Sequence, residues 1–348
     1  MSDLNSCAKA DCTVSATGAC VEGHAPPESC PFYGKPRAEE PDGDEPEAED
    51  SDTVTEAPSK TVKLPSSEAL TVNDVDEFLL QRPMTLIAIV GDRDSGKTTL
   101  VCALYEKYLR GQFAGYLFTE GRTLVALEKK TYYSRVESGG SEADTERTKV
   151  SDGLHFLHLG LVSEAPEERR VDLMLSDRAG ETYRRARSGA EPLSELIEVA
   201  KANRVVFLLD GGRLVNPTER AGAFQSVRQG IRAFTDGGLL TTASEVQVVI
   251  TKSDLLQRAT DVAVIEERIG QFQTGLATDL EPRLKKLTFW RIAARDPSGQ
   301  VEQGQGVDEL VREWTTLRVS ETAPARIPAT LTSELENLLV RTPIKELP

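Results

Sequence analysis

From residue 84 onward, apolar residues fall into short runs separated by longer stretches in which apolar positions recur at helical spacing. The runs Thr85–Val90, Leu154–Leu161, Val171–Ser176, Val205–Leu209, Val246–Thr251 and Thr288–Ala293 predict strands. Helices are predicted over 97–110, about 182–202, about 218–236, about 260–280 and about 306–318, with Gly111 closing the first and Gly306 opening the last. Strands alternating with helices in this way predict an α/β sheet. In Leu154-His155-Phe156-Leu157-His158-Leu159 apolar residues alternate with histidine, as in a strand with one exposed face. That pattern puts His155 and His158 at surface positions rather than on a metal.

Outside these elements the pattern fades. Of the 348 residues only 39% are hydrophobic, low for a chain packed throughout. Residues 39–56 hold ten Asp and Glu and no Lys or Arg, and this run carries most of the formal net charge of −15. Such a stretch cannot bury enough apolar surface to offset chain entropy, so 37–66 reads as a disordered acidic linker. The remainder is only mildly acidic, which argues against direct nucleic-acid binding. No apolar run approaches the ~20 residues that span a bilayer, so membrane insertion is not expected. The first residues lack the basic and apolar regions of a signal peptide, and a cytoplasmic location is expected. The last segment, 319–348, is a Pro-containing tail whose amphipathic piece Leu331–Val340 suits partner docking.

Four of the five cysteines, Cys7, Cys12, Cys20 and Cys30, lie in the first 30 residues at intervals of four, seven and nine. In a reducing compartment a thiol cluster suggests structural Zn²⁺, with His24 as a substitute ligand, and 1–36 reads as a Cys-rich knuckle. No interval is the two-residue Cys-x-x-Cys spacing of a zinc ribbon, so a tail with unrelated thiols stays open. Cys102 stands apart, in a predicted helix, as a small core residue.

Three motifs carry chemistry. Gly91-Asp92-Arg93-Asp94-Ser95-Gly96-Lys97-Thr98 joins a strand to a helix, the context in which G-x4-G-K-[ST] cradles nucleotide phosphates on backbone N–H groups. Lys97 would reach the outer phosphates, Thr98 would ligate Mg²⁺, and Thr99 follows in the first helical turn. Asp177-Arg178-Ala179-Gly180-Glu181 ends a strand about 80 residues further on. Its Asp can hold the metal through water, and its Gly can offer an N–H to the γ-phosphate where a larger residue would obstruct. Thr251-Lys252-Ser253-Asp254 follows the strand 246–251. A carboxylate there can accept from guanine N1–H and N2–H₂ together, whereas adenine offers no such pair; the stem of Lys252 can lie along the ring.

At these residues the chain resembles a Ras-like P-loop GTPase of the translation-factor-related class over about 84–318. The resemblance implies a P-loop GTPase fold: a mostly parallel six-stranded sheet with helices on both faces, binding GTP or GDP with Mg²⁺. More narrowly, the cysteine-bearing start and the runs Phe113–Thr119 and Tyr132–Arg135 are similar to the bacterial double-GTPase group associated with conflict or defence gene sets. The family's last box is replaced by Phe289-Trp290-Arg291-Ile292-Ala293-Ala294-Arg295, which leaves Ala293 and Ala294 at the guanine O6 position, with Ala294 as backbone donor. The family's switch threonine falls at Thr148, or at Thr145, and Arg147 is placed where some relatives carry an internal arginine finger. Glu181 stands where many relatives carry the water-orienting Gln; ionised, it cannot donate, and slow intrinsic turnover follows, needing a partner's cation. An activating protein and an effector are therefore expected, the latter reading a surface that includes Arg184, Arg185 and Arg187. A nucleotide-binding scaffold with little hydrolysis is the competing reading. An ATP-dependent kinase or ATPase is permitted by the phosphate loop alone and opposed by Asp254.

Overall fold

A computed structural model describes residues 7–8, 12–20, 23–35, 66–132, 148–164, 170–295 and 304–316. The chain divides into two compact units, Met1–Val62 and Lys63–Pro348.

In the first unit a single turn, α1 (Val14–Thr17), ends at Gly18 with φ 71°, and a 3₁₀ turn spans Pro27–Ser29. Cys7 pairs with Tyr33 in an isolated antiparallel bridge. Cys7, Cys12 and Cys20 are half-buried, and Cys30 is buried. Among the described residues no three His, Cys, Asp or Glu side chains converge as a metal would require. The expected zinc set is therefore not assembled. No tight Cys-x-x-Cys turn delivers two thiolates to one point.

The second unit starts earlier than residue 84. Helix α2 (Val72–Gln81) is capped by Thr71 and Asp74, each side chain bonding the other's backbone N–H. It buries Val75 and Phe78 in a small core with Leu86, Phe156 and Met174. There follow β1 (Thr85–Val90), α3 (Lys97–Leu109), β2 (Tyr116–Glu120), α4 (Leu124–Tyr132), β3 (His155–Ser163) and β4 (Arg170–Asp177). The second half comprises α5 (Gly180–Arg187), α6 (Ile197–Lys201), β5 (Arg204–Asp210), α7 (Gly211–Val215), α8 (Arg220–Asp236), β6 (Glu245–Thr251), α9 (Ser253–Gln257), α10 (Val262–Leu280), β7 (Lys286–Arg291) and α11 (Val307–Thr315).

The sheet order is β2-β3-β4-β1-β5-β6-β7. Strand β3 runs antiparallel to both neighbours, and the remaining pairs are parallel. Parallel strands covered on both faces favour apolar residues on both sides, which is why β1 and β5 carry the apolar runs Leu86–Val90 and Val205–Leu209 and β6 is apolar apart from a buried Gln247 between its end residues. Ile87 and Ile89 pack into one layer with Leu100, Leu104 and Trp314. Ala88 and Val90 face the other, with Ile231, Phe234 and Ile269. Because β4, β1, β5 and β6 are mutually parallel, their carboxyl ends share one sheet edge.

Three expectations change. The sheet has seven strands among the described residues, not six: β2 is a five-residue strand at the sheet's edge, half exposed, and too weakly patterned to read as a strand. The single helix expected over 182–202 breaks after Arg187, where Gly189 takes φ +76° and Pro192 follows. His158 is buried rather than at the surface. Its Nδ1 accepts the Arg122 backbone N–H at 3.0 Å, so Nε2 carries the proton and donates to Asp172 at 2.9 Å. Among the described residues no helix is long and apolar enough to cross a membrane.

Helix α11 closes one face of the sheet through Trp314, fully buried, whose Nε1 donates to Gln247 Oε1 at 2.8 Å. Trp314→Ala is expected to cost about 3–5 kcal/mol in urea unfolding; a loss under about 1 kcal/mol would show that α11 is not part of the cooperative core.

Candidate functional site

The turn leaving β1 is shaped by residues on its own backbone. Gly96 caps α3 at φ 91°, and Asp94, not a glycine, takes φ 61°. Lys97 turns back over the turn, its Nζ donating to Gly91 O and Asp92 O at 2.8 Å each. Burial pushes the Lys97 ammonium down to about 8, against the opposing pull of Asp177, Asp92 and Glu181. Asp94, Ser95, Gly96, Lys97, Thr98 and Thr99 line a cavity of about 450 Å³. Cys102, one turn into α3, is core as expected, and burial pushes its thiol up to about 12.

The end of β6 holds this turn from the other side. Thr251 Oγ1 donates to Ser95 O at 3.0 Å, and Lys252 Nζ to Asp94 O at 2.9 Å. Lys252 is itself left-handed, at φ 52°, and its ammonium also meets Asp210 at 3.0 Å. The side chain of one left-handed residue, Lys252, thus holds the backbone carbonyl of another, Asp94; such strain costs about 1–3 kcal/mol per residue and persists only where surroundings enforce it. Asp254 opens α9 and is 2% exposed. Its Oδ2 accepts from Arg258 Nη2 at 2.5 Å, while Oδ1 is buried with no hydrogen-bond partner. A carboxylate oxygen left so is costly unless a donor arrives. The Ser253 N–H bonds Ile292 O at 3.1 Å, which sets this turn beside Ala293 and Ala294. Ala293 is held in place, its N–H on Gln305 O at 3.0 Å, and so serves the loop rather than a ligand.

The end of β4 supplies the third wall. Asp177 Oδ1 accepts from Thr148 Oγ1 at 2.8 Å, and Asp177 Oδ2 lies 2.7 Å from Lys130 Nζ on α4. Gly180 packs against the phosphate turn so tightly that a Cβ would lie 2.6 Å from Arg93 N. Glu181 lines the same cavity, and its Oε1 is 3.9 Å from Arg93 Nε. Thr98 and Thr148 line that cavity and Thr148 bonds Asp177, so all three offer hard oxygens of the kind Mg²⁺ takes. Arg147 and Thr145 lie outside the described residues.

A family model, Double-GTPase 2, matches residues 85–315. The chain belongs to the Double-GTPase 2 family. Among solved structures it is similar to the signal recognition particle receptor SRb-GTP/SRX complex from Chaetomium thermophilum, at 12% identity, covering 67% of this chain and 97% of that one, with a TM-score of 0.36. It is also similar to the S. cerevisiae Ski7 GTPase-like domain bound to GDP and inorganic phosphate, at 13% identity, covering 72% of this chain and 54% of that one, with a TM-score of 0.38. The same domain bound to GTP matches at 14% identity, covering 71% and 54%, with a TM-score of 0.36. No curated protein matches the chain.

In this Double-GTPase 2 protein the structure turns Asp92, expected on the nucleotide, away from the phosphate cavity. Its carboxylate accepts from Ser226 Oγ at 2.5 Å, Arg213 at 3.1 Å and Arg187 at 3.3 Å. Burial pushes the Asp92 carboxyl up, but the Ser226 hydroxyl and the two guanidiniums hold it below the usual value. Arg187 is thereby removed from the expected basic surface, and Arg185 pairs with Glu191 at 2.9 Å; Arg184 stays exposed. Sequence reasoning also missed Asp210, which caps α7 and steers Lys252, although a carboxylate at a strand's end before Gly-Gly was a visible signal. Arg178 anchors the turn after β4 by reaching Glu195 O and Glu198, each at 3.0 Å.

The lowered Lys97 value carries a pH consequence. A phosphate bound on this ammonium holds the proton, so affinity is flat below pH ~8 and falls above it, by at most about tenfold per pH unit. Calorimetry in two buffers of different ionisation enthalpy is expected to show proton uptake on nucleotide binding at pH 8.5–9. Binding without proton uptake would contradict the assignment.

Proposed function

We propose that the chain is a cytoplasmic guanine-nucleotide switch that hydrolyses GTP slowly with Mg²⁺ and is regulated by partner proteins. The observation that carries this reading is the unpartnered Oδ1 of buried Asp254, tethered through Thr251 and Lys252 to the phosphate turn. Guanine N1–H and N2–H₂ can donate to the Asp254 carboxylate together, a donor pair that adenine does not present. In this reading the amides of Gly91, Arg93, Asp94, Ser95, Gly96, Lys97, Thr98 and Thr99 and the Lys97 ammonium bind the phosphates, and Ala294 adds a backbone donor to the base. Thr98, Thr148 and Asp177 would hold Mg²⁺, which when bound neutralises charge building on the phosphate oxygens. Gly180 turns its N–H toward the γ-phosphate, and contact there draws α5 and the Thr148 segment into the arrangement an effector reads.

Hydrolysis is slow because Glu181, ionised, accepts but does not donate, and sets a negative charge beside the γ-phosphate. An activating partner that brings a cation over Glu181 offsets that charge, as Arg147 could do within the chain. The same Glu181 favours a second reading, a nucleotide-binding scaffold that does not cycle. Single-turnover hydrolysis separates the two: the switch releases phosphate, faster by about tenfold or more in Glu181→Gln, and the scaffold releases none in either form.

Base recognition is tested by titrating labelled GDP and GTP onto Asp254→Asn. Loss of guanine-nucleotide affinity by about 100-fold with an unchanged fold is expected. Wild-type affinity in the variant would remove Asp254 from the site.

A further inference from the structure

Lys130 belongs to none of the three motifs, yet its ammonium lies 2.7 Å from the carboxylate at the end of β4, with the Lys130 side chain 14% exposed. Helix α4, which carries it, sits between β2 and β3 and is firmly placed. Leu127 is fully buried, Tyr105 Oη on α3 donates to Glu128 Oε1 at 2.5 Å, and the Ala126 N–H bonds Ser67 O at 3.2 Å. Ala126, Leu127, Lys130 and Thr131 recur at helical spacing on one face, so packing of the apolar pair aims Lys130 at Asp177. The other carboxylate oxygen is taken by Thr148. Asp177 therefore has a counter-ion that the protein itself supplies, and the pair is largely shielded from solvent.

We propose that Lys130 is a built-in cation of the nucleotide site that weakens the coupling between Mg²⁺ and nucleotide binding. This rests on the guanine-nucleotide reading above. An ammonium sharing the Asp177 charge reduces that carboxylate's pull on a divalent ion. The same positive charge attracts the anionic nucleotide whether or not the metal is present. The first effect shrinks the gain in nucleotide affinity that Mg²⁺ confers, the second raises affinity equally with and without metal and cancels, and linkage makes that gain a single measurable coupling factor. Lys130 is a positioning and charge-balancing residue here, acting through Asp177.

The experiment measures GDP affinity of the full chain with Mg²⁺ and with excess EDTA, for wild type, Lys130→Met and Lys130→Arg. The wild-type ratio of affinities is expected to be about tenfold or less, rising by about tenfold or more in Lys130→Met and returning toward wild type in Lys130→Arg. The factor should be insensitive to Lys130 when Asp177→Asn is already present. A wild-type ratio above about 100-fold overturns the proposal without any variant, as does a ratio equal in wild type and Lys130→Met. Failure of the wild type to bind guanine nucleotide under either condition would instead overturn the functional reading on which this stands.

Discussion

Two ammonium groups turned onto backbone carbonyls hold the phosphate turn in shape. Lys97 caps Gly91 and Asp92 from inside the turn, and Lys252 caps Asp94 from the end of β6. The second holds the carbonyl of Asp94, a non-glycine residue in the left-handed conformation. Lys252 is steered by Asp210, so three parallel strands, β1, β5 and β6, must end at one edge for a single loop to take its form. The parallel sheet is in this sense a requirement of the site and not only its support.

On the opposite flank the Asp92 carboxylate ties the turn to α5, α7 and α8 through Arg187, Arg213 and Ser226. Gly180, at the start of α5, already lies against the turn's backbone. A movement of α5 therefore cannot leave the phosphate turn undisturbed. This is how a change at a phosphate oxygen could be conveyed to an exposed face near Arg184, and why Arg187 is spent on an internal contact rather than on a surface.

The parts of the molecule legible in the sequence are those governed by short-range rules. Buried parallel strands announce themselves as apolar runs, and the phosphate turn by its glycines and Lys-Thr, so β1, β5 and β6 and the three motifs were readable. What escaped depends on distant partners. Strand β2 has one neighbour and one half-buried face, and its five residues carry too little pattern. The inward turns of Asp92 and Lys130 arise from packing between elements far apart in sequence, which no local spacing encodes. Alternation marks one face of β3 but not what covers it: at His158 that is α2, whose Phe78 ring lies 4.9 Å away, and the segment at Arg122. Among the described residues the cysteines, although clustered in sequence, do not share a common focus in space.

The central claim is that one carboxylate selects the base while a fixed turn holds the phosphates. Its most direct test is competition between GTP and ATP for the purified wild-type chain, followed with a fluorescent guanine nucleotide. The account predicts that GTP displaces the probe at concentrations about 100-fold or more below those needed for ATP. Equal displacement by the two nucleotides would contradict it.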